Sequence, residues 1–298
     1  MTTHAEDTVK AFAMLPAHPF YRLLRLLPLR AVVWAKQPDV LCYSGKYSPV
    51  ARGHANSSLV FVHCTLQTER SALDSSTASV SVNGGASHHG IPLTMVNITP
   101  LLSLSKKNHF TLWAPDIPKH CTLHVSAVRK ISEDELLRTI DDHAPYVHKW
   151  EETGALLKAQ FADEDQVVVQ HFQVSLLCPL TKTKMRVPSR GVRCRHVQCF
   201  DALAYLDVNE STLQPSWKCP VCGGQVFARD IRVDLFTLDV VGKVDNDCNA
   251  VVLECDGSWQ PMSSVAKHSV IVIDDSFVEA DTAHRDFPLI ELSSDSDE

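Results

Sequence analysis

Four residues with metal-binding side chains lie in two short motifs. Cys194 and His196 form a Cys-x-His pair, and Cys219 and Cys222 form a Cys-x2-Cys pair after 22 intervening residues. Three thiolates and one imidazole are a donor set for a tetrahedral structural zinc. A plain zinc ribbon has similar spacing, and four unrelated residues are the remaining alternative. The spacing within both pairs predicts one bound Zn²⁺.

The stretch between the two pairs has the pattern of ordered structure. An amphipathic run, Cys199–Leu206, is followed by the turn sequence Pro215-Ser216-Trp217. This arrangement favours the zinc-binding half of a RING-like domain over a ribbon. We expect Phe200 and Trp217 to be core aromatics that support the zinc loops.

A second RING metal site is incomplete in this sequence. Cys178 and Cys199 stand at possible ligand positions, but their partner positions hold Thr181 and Ala202. Two lone thiols cannot complete a four-coordinate site, so we expect both to be small buried core residues. Asp201 is then a candidate to bind backbone amides in place of the missing metal.

Three segments of this region resemble one known family. Ser175–Leu180, Cys194–Ala202 and Pro215–Cys222 look like the SP-RING of the PIAS and Siz SUMO ligases, a family that has lost one RING zinc. Val96–Leu101 is similar to the motif that names the family's PINIT domain, and His18–Tyr21 resembles its opening. Asp256–Trp259 with Pro261-Met262 resembles the extension after the SP-RING.

The resemblance implies an α+β fold, with a β-rich PINIT-like domain, a single-zinc SP-RING domain and a disordered acidic tail. The expected bounds are a disordered lead at 1–16, the PINIT-like domain at 17–165, the SP-RING with its extension at 166–262 and the tail at 263–298. The family's SAP domain, a DNA-binding module, is missing from this sequence, so direct DNA binding is not expected.

The resemblance also implies a SUMO-protein ligase, which holds a SUMO-charged conjugating enzyme in a reactive geometry without a covalent intermediate. By position, Leu180, Pro220 and Val221 are the candidate docking residues. The alternative is that Leu180 and Val221 belong to the core. Cys42, Cys64 and Cys121 lie in strand-like apolar runs without the electropositive setting of an activated thiol, so no cysteine is expected to carry a thioester.

Two segments of the tail resemble SUMO-interacting motifs, which add a strand to the edge of SUMO. The first comprises Val270, Ile271, Val272, Ile273, Asp274 and Asp275, and the second contains Leu289, Ile290 and Leu292. The alternative is a solvated acidic tail with incidental apolar residues. Residues 244–298 hold 13 acidic and 2 basic residues, so the net charge of −7 belongs to this end of the chain.

Three functions fit these patterns. A SUMO ligase is favoured, with a nuclear location and with transcription or chromatin factors as expected substrates. A non-catalytic, SUMO-binding transcriptional co-regulator and a ubiquitin-type RING ligase are the alternatives. No apolar run reaches the roughly 18 residues of a membrane span, and we expect neither a membrane partner nor a signal peptide.

The secondary-structure pattern before the zinc motifs is mostly β. Strands are expected at Ser58–Leu66, Val80–Val82, Phe110–Trp113 and Cys121–Val128. Ser132 and Glu135 form a capping box that predicts a helix of about ten residues. A second helix is predicted over about 146–161.

Overall fold

The structure is a computed structural model that describes residues 19–27, 29–32, 42–47, 58–66, 77–92, 95–103, 106–113, 121–141, 144–161, 172–254 and 256–262. The described residues belong to a compact unit that ends at Met262. The lead at 1–16, the tail and the proposed SUMO-interacting motifs lie outside these ranges. None of the helices in these ranges has the length and apolar character needed to cross a membrane.

Two antiparallel sheets form the first part of the described chain, and they enclose one apolar cluster. The four-stranded sheet has the order β1-β9-β4-β7, and the five-stranded sheet has the order β2-β3-β8-β5-β6. The strands are β1 (Tyr21–Leu27), β2 (Leu29–Val32), β3 (Cys42–Tyr47), β4 (Ser58–Leu66), β5 (Thr77–Val82), β6 (Ser87–Pro92), β7 (Val96–Asn97), β8 (Asn108–Trp113) and β9 (Cys121–Lys130).

The strand predictions of this region are confirmed. β4 has the predicted bounds, and β5, β8 and β9 contain the other three predicted segments. Side chains of β8 alternate between buried and exposed along most of its length, as a half-buried strand requires. Asn83 and Gly84 follow β5 with positive φ angles of 54° and 72°, so this turn uses residues that tolerate the left-handed region.

The second part of the described chain contains the zinc motifs. β10 (Val147–His148), β14 (Ile231–Asp234), β12 (Pro188–Gly191) and β13 (Phe200–Asp201) form one sheet in that order. β11 (Phe172–Ser175), β15 (Ala250–Leu253) and β16 (Trp259–Pro261) form another. The helices are α1 (Glu133–Thr139), α2 (Trp150–Phe161), α3 (Ala202–Glu210) and α4 (Leu235–Lys243).

Both helices predicted before the zinc motifs are present. α1 is shorter than predicted, and α2 starts later than predicted. Ser132 Oγ accepts the Glu135 amide at 3.3 Å, which confirms the cap, but α1 has seven residues because Ile140 is extended. α2 starts at Trp150 rather than near residue 146. Val147 and His148 instead pair in parallel with β14, and this tertiary pairing overrides the helical pattern.

One apolar cluster joins the two parts of the chain. It contains buried residues from the β-rich part and from the zinc-binding part, so the two parts share a core. Its members include Phe20, Tyr21, Val128, Leu136 and Val147 on one side and Cys178, Phe200, Tyr205, Trp217 and Ile231 on the other. The domain bounds expected from the sequence stay a prediction.

Candidate metal centre and adjoining surface

Cys194, His196, Cys219 and Cys222 converge at one point. Their ligand atoms all lie within 4.8 Å of one another, and within the described residues no other group of three or more His, Cys, Asp or Glu side chains could hold a metal ion. The Cys194 and Cys222 Sγ atoms are 4.0 Å apart, and Cys219 Sγ lies 3.3 Å from His196 Nε2. A tetrahedral site with Zn–S bonds of about 2.3 Å places its ligand atoms at similar separations.

The tautomer of His196 fits a metal ligand. Its Nδ1 lies 2.8 Å from the Gln198 carbonyl oxygen, so Nδ1 carries the proton and donates it there. Nε2 is then left with a free lone pair that faces Cys219. Metal-bound histidines commonly donate their other ring nitrogen to a carbonyl in this way. The donor set and this geometry fit one structural zinc.

Short turns bring the ligands into place. Cys194 N donates to Gly191 O at 2.9 Å, and Gly223 N donates to Cys219 O at 2.9 Å. Gly191 leaves no room for a larger residue, because an added Cβ would lie 3.0 Å from Cys194 Sγ and closer still to Val226. Gly223 has a φ of 70°, which glycine adopts without strain.

The thiols of the cluster interact strongly. The hydrogen bond with Cys194 lowers the pKa of Cys219 to about 3. The same contact, followed by burial, raises the pKa of Cys194. Without a metal the thiols therefore share their charge unequally. Zinc binding would deprotonate all three, because zinc binds thiolates and neutral imidazoles.

Both carboxylate oxygens of Asp201 accept backbone amides. Its Oδ2 accepts the Arg186 and Val187 amides at 2.8 and 2.9 Å, and its Oδ1 accepts the Leu203 and Ala204 amides as the N-cap of α3. One carboxylate therefore ties the start of α3 to the two loop residues that precede β12. The prediction that Asp201 binds backbone amides is confirmed.

Cys178 and Cys199 are core residues, as predicted. Both are fully buried. Cys178 Sγ accepts the Asp201 amide at 3.3 Å, and Cys199 Sγ lies 3.4 Å from Thr237 Oγ1. Burial raises the pKa of Cys199, so this thiol stays protonated.

Substitution of Asp201 should measure how much its hydrogen bonds contribute to the unfolding free energy. We expect Asp201→Ala to cost about 3 kcal/mol of unfolding free energy, because it removes a helix cap worth about 1 kcal/mol and leaves two loop amides unpaired. Asp256→Ala is the matched control, since this exposed aspartate accepts one turn amide from Ser258. Urea unfolding of the zinc-loaded variants gives both values, and equal costs would contradict the assigned role.

Trp217 and Phe200 are buried aromatics, as predicted. Phe200 packs on Tyr205 with ring centroids 4.7 Å apart, and Tyr205 lies 6.0 Å from Trp217. The Tyr205 hydroxyl donates to Val226 O at 2.6 Å. These rings support α3 and the loop that carries Cys219.

A buried ion pair beside the zinc site has no counterpart in the sequence prediction. Arg190 and Asp234 are both fully buried, with Nη2 and Oδ2 2.6 Å apart. Thr153 of α2 donates its hydroxyl to Asp234 at 2.7 Å and accepts Arg190 Nη2 at 2.8 Å. Arg190 Nη1 also donates to His196 O at 3.3 Å, so the network reaches the backbone of a zinc ligand.

The charge of Arg190 keeps the Asp234 carboxyl group ionised. Burial opposes ionisation of this carboxyl, but Arg190 and the hydrogen bonds from Thr153 and the Thr237 amide outweigh it and hold the pKa of Asp234 below its usual value. The Thr237 amide bond makes Asp234 the N-cap of α4. The sequence holds one local signal for this network, which is Asp234 at a cap position before Leu235. No neighbouring residue marks Arg190 as buried.

Of the proposed docking residues, Pro220 and Val221 lie between two metal ligands, and Leu180 lies in the turn that follows Cys178. Leu180 is 36% exposed and Val221 is 38% exposed, and Pro220 is partly buried. Both large side chains are therefore among the exposed apolar residues of the described chain, and neither is a buried member of an apolar cluster there. Cys42, Cys64 and Cys121 lie in β3, β4 and β9, as predicted, but their side chains are outside the described set.

Comparisons with known proteins agree with the site. Residues 174–225 match the model of the MIZ/SP-RING zinc finger family. "E3 SUMO-protein ligase PIAS3" of Mus musculus is 34% identical over 176 residues, which are 57% of this chain and 27% of that protein. "E3 SUMO-protein ligase SIZ2" of Saccharomyces cerevisiae is 30% identical over 169 residues, 56% of this chain and 23% of that protein. The chain therefore spans about a quarter of the length of these relatives.

A solved structure is similar as well. The crystal structure of the S. cerevisiae SUMO E3 ligase SIZ2 is 21% identical, with a TM-score of 0.44 over 82% of this chain and 98% of that chain.

Proposed function

With a MIZ/SP-RING zinc finger at residues 174–225 and curated SUMO ligases as relatives of this region, we propose that this chain is a SUMO-protein ligase. It binds a SUMO-charged conjugating enzyme and promotes SUMO transfer to substrate lysines. The observation that carries the proposal is the Cys3His cluster of the described residues, whose last two ligands, Cys219 and Cys222, enclose Pro220 and the exposed Val221.

The proposed mechanism is orientation rather than covalent catalysis. A bound zinc would fix the loop that carries Pro220 and Val221, and the chain would restrict the conjugating enzyme and its thioester to a reactive arrangement. Among the described cysteines, Cys178 and Cys199 are buried and hydrogen-bonded, and Cys194, Cys219 and Cys222 are the zinc thiolates. None of these five thiols suits a thioester intermediate.

We propose that Leu180, Pro220 and Val221 form the docking surface for the conjugating enzyme. The loop that carries Leu180 is fixed by two backbone bonds of 2.8 Å, from Lys182 N to Cys178 O and from Cys178 N to Thr183 O. Pro220 and Val221 lie between two zinc ligands. A partner would therefore meet apolar side chains on pre-organised loops, which lowers the entropic cost of binding.

Truncation of Leu180 tests the docking surface. We expect Leu180→Ala to weaken binding of the conjugating enzyme about tenfold, as the loss of an apolar hot spot does, and to retain zinc and the folded state. Val208→Ala is the matched control, because this exposed side chain lies on α3 outside the zinc loops. Titration calorimetry compares the variants with the unmodified chain. Equal affinities for all three proteins would contradict the assignment.

The tail completes the proposal. The segments 270–275 and 289–292 would bind SUMO by strand addition, with their acidic neighbours facing basic groups of the modifier. A chain that ends at residue 262 would then stimulate transfer less than the full chain does. The further partners that we propose are protein substrates, with transcription or chromatin factors as the expected class, and the proposed location is the nucleus.

A further inference from the structure

Trp217 has an unusual backbone conformation at a functional position. Its φ angle is +49°, and its side chain is 1% exposed. A bulky residue in the left-handed region is strained and persists only where the surroundings impose it. Trp217 stands two residues before the zinc ligand Cys219 and three before Pro220, so this strained residue sets the direction of the second zinc loop.

Contacts from three directions impose this conformation. Trp217 N donates to Asn209 Oδ1 at 2.9 Å, and Trp217 O accepts Val226 N at 2.7 Å. The indole Nε1 donates to Met95 O at 3.2 Å. The first two contacts lie within the zinc-binding part of the chain. The third comes from a residue beside β7, in the β-rich part.

Residues of the β-rich part also hold the end of α3. Asn97 Nδ2 donates to Glu210 O at 3.1 Å and so satisfies a carbonyl that a helix end leaves without a partner. Lys130 Nζ contacts Glu210 Oε2 at 2.9 Å and Asp207 Oδ1 at 2.5 Å. The Tyr21 hydroxyl donates to Glu210 as well.

We propose that Met95 and Asn97 of the β-rich part are positioning residues for the second zinc loop. Asn97 fixes the end of α3, which carries Asn209, and Asn209 and Met95 together hold Trp217 in its left-handed conformation. The loop from Trp217 to Cys222 then presents Pro220 and Val221 in one orientation. The inference rests on the proposed function in one respect, because the orientation matters for transfer only if these residues dock the conjugating enzyme.

A matched pair of asparagine variants tests the role. Asn97→Ala removes the bond to Glu210 O. Asn108→Ala is the control, because Asn108 is also buried but its amide bonds to Ser103, Lys106 and Asn83 within the β-rich part. A general loss of stability would affect both variants alike, whereas an effect on the zinc loop would appear in Asn97→Ala alone.

Two measurements on the zinc-loaded full chain decide the question. The rate of zinc release to an excess of chelator reports on the loop directly, and we expect Asn97→Ala to release zinc at least fivefold faster than Asn108→Ala. Affinity for the conjugating enzyme should fall about fivefold in Asn97→Ala and stay unchanged in Asn108→Ala. Trp217→Phe, which keeps a smaller aromatic ring and loses the Nε1 donor, should behave like Asn97→Ala.

The outcomes separate the inference from the proposed function. Equal zinc release and equal affinity in the two asparagine variants would overturn the positioning role. If the unmodified chain does not bind the conjugating enzyme at all, the proposed function fails, and the zinc-release rates still decide whether Met95 and Asn97 hold the loop.

Discussion

Removal of zinc from this chain is expected to unfold the loops that carry Cys194 and Cys219. Structural zinc contributes about 10–16 kcal/mol in zinc-finger peptides, which equals or exceeds the total stability of a typical domain. Cys219 is also buried, and its neighbours belong to the core cluster that includes Trp217 and Val226. Loss of the metal should therefore disturb the core as well as the loops.

Cys219→Ser tests the role of zinc, because it replaces one sulfur ligand with oxygen. We expect this variant to lose zinc and to lack a cooperative thermal transition for the zinc-binding part. Cys248→Ser is the matched control, because Cys248 is a free, half-buried cysteine whose thiol donates to Ala250 O outside the metal site. Atomic absorption should give one zinc per chain in the unmodified protein and in Cys248→Ser. Two zinc ions per chain, or zinc retained in Cys219→Ser, would contradict the single-site assignment.

Loss of the Asp234 charge is the second change with a large expected effect. Asp234→Asn should cost about 3–5 kcal/mol of unfolding free energy, because it leaves the buried Arg190 guanidinium without its counter-charge. The amide oxygen can still cap α4 through the Thr237 amide. Asp239→Asn is the control, since Asp239 pairs with the largely exposed Lys243, and such pairs contribute about 0–1 kcal/mol.

The pH dependence of stability checks the same pair independently. The pKa of Asp234 is lowered in the folded chain, so its stabilising contribution is fully present above the unfolded value of about 4 and is lost as the pH falls through the folded value. The difference in urea midpoint between the unmodified chain and Asp234→Asn should be constant above about pH 4 and shrink below it. A difference that grows toward low pH would contradict the ion-pair account.

The sequence was sufficient for the metal site because zinc chemistry depends on residue type and spacing. Cys-x-His and Cys-x2-Cys identify the four ligands without any tertiary information, and the missing partners of Cys178 and Cys199 identify the lost site. The role of Asp201 was also predictable, because it stands directly before a helical run and beside the vacant ligand position. Each of these inferences uses residues that are close in sequence.

Long-range contacts explain what the sequence could not provide. Arg190 meets Asp234 across 44 positions, and Trp217 meets Met95 across 122, so no local pattern marks either contact. The start of α2 was predicted too early because Val147 and His148 gain a strand partner, β14, from far along the chain. The shared core between the two parts has the same origin, since only the folded topology brings Phe20 and Phe200 into one cluster.

The most direct test of the proposed ligase is single-turnover discharge of a conjugating enzyme that carries SUMO as a thioester. Discharge is measured with and without the zinc-loaded chain, with free lysine or a protein substrate as the acceptor. We predict faster discharge with the unmodified chain, and loss of the acceleration with His196→Ala or Leu180→Ala. No acceleration by a folded chain with one bound zinc would contradict the ligase assignment and would favour a non-catalytic, SUMO-binding adaptor.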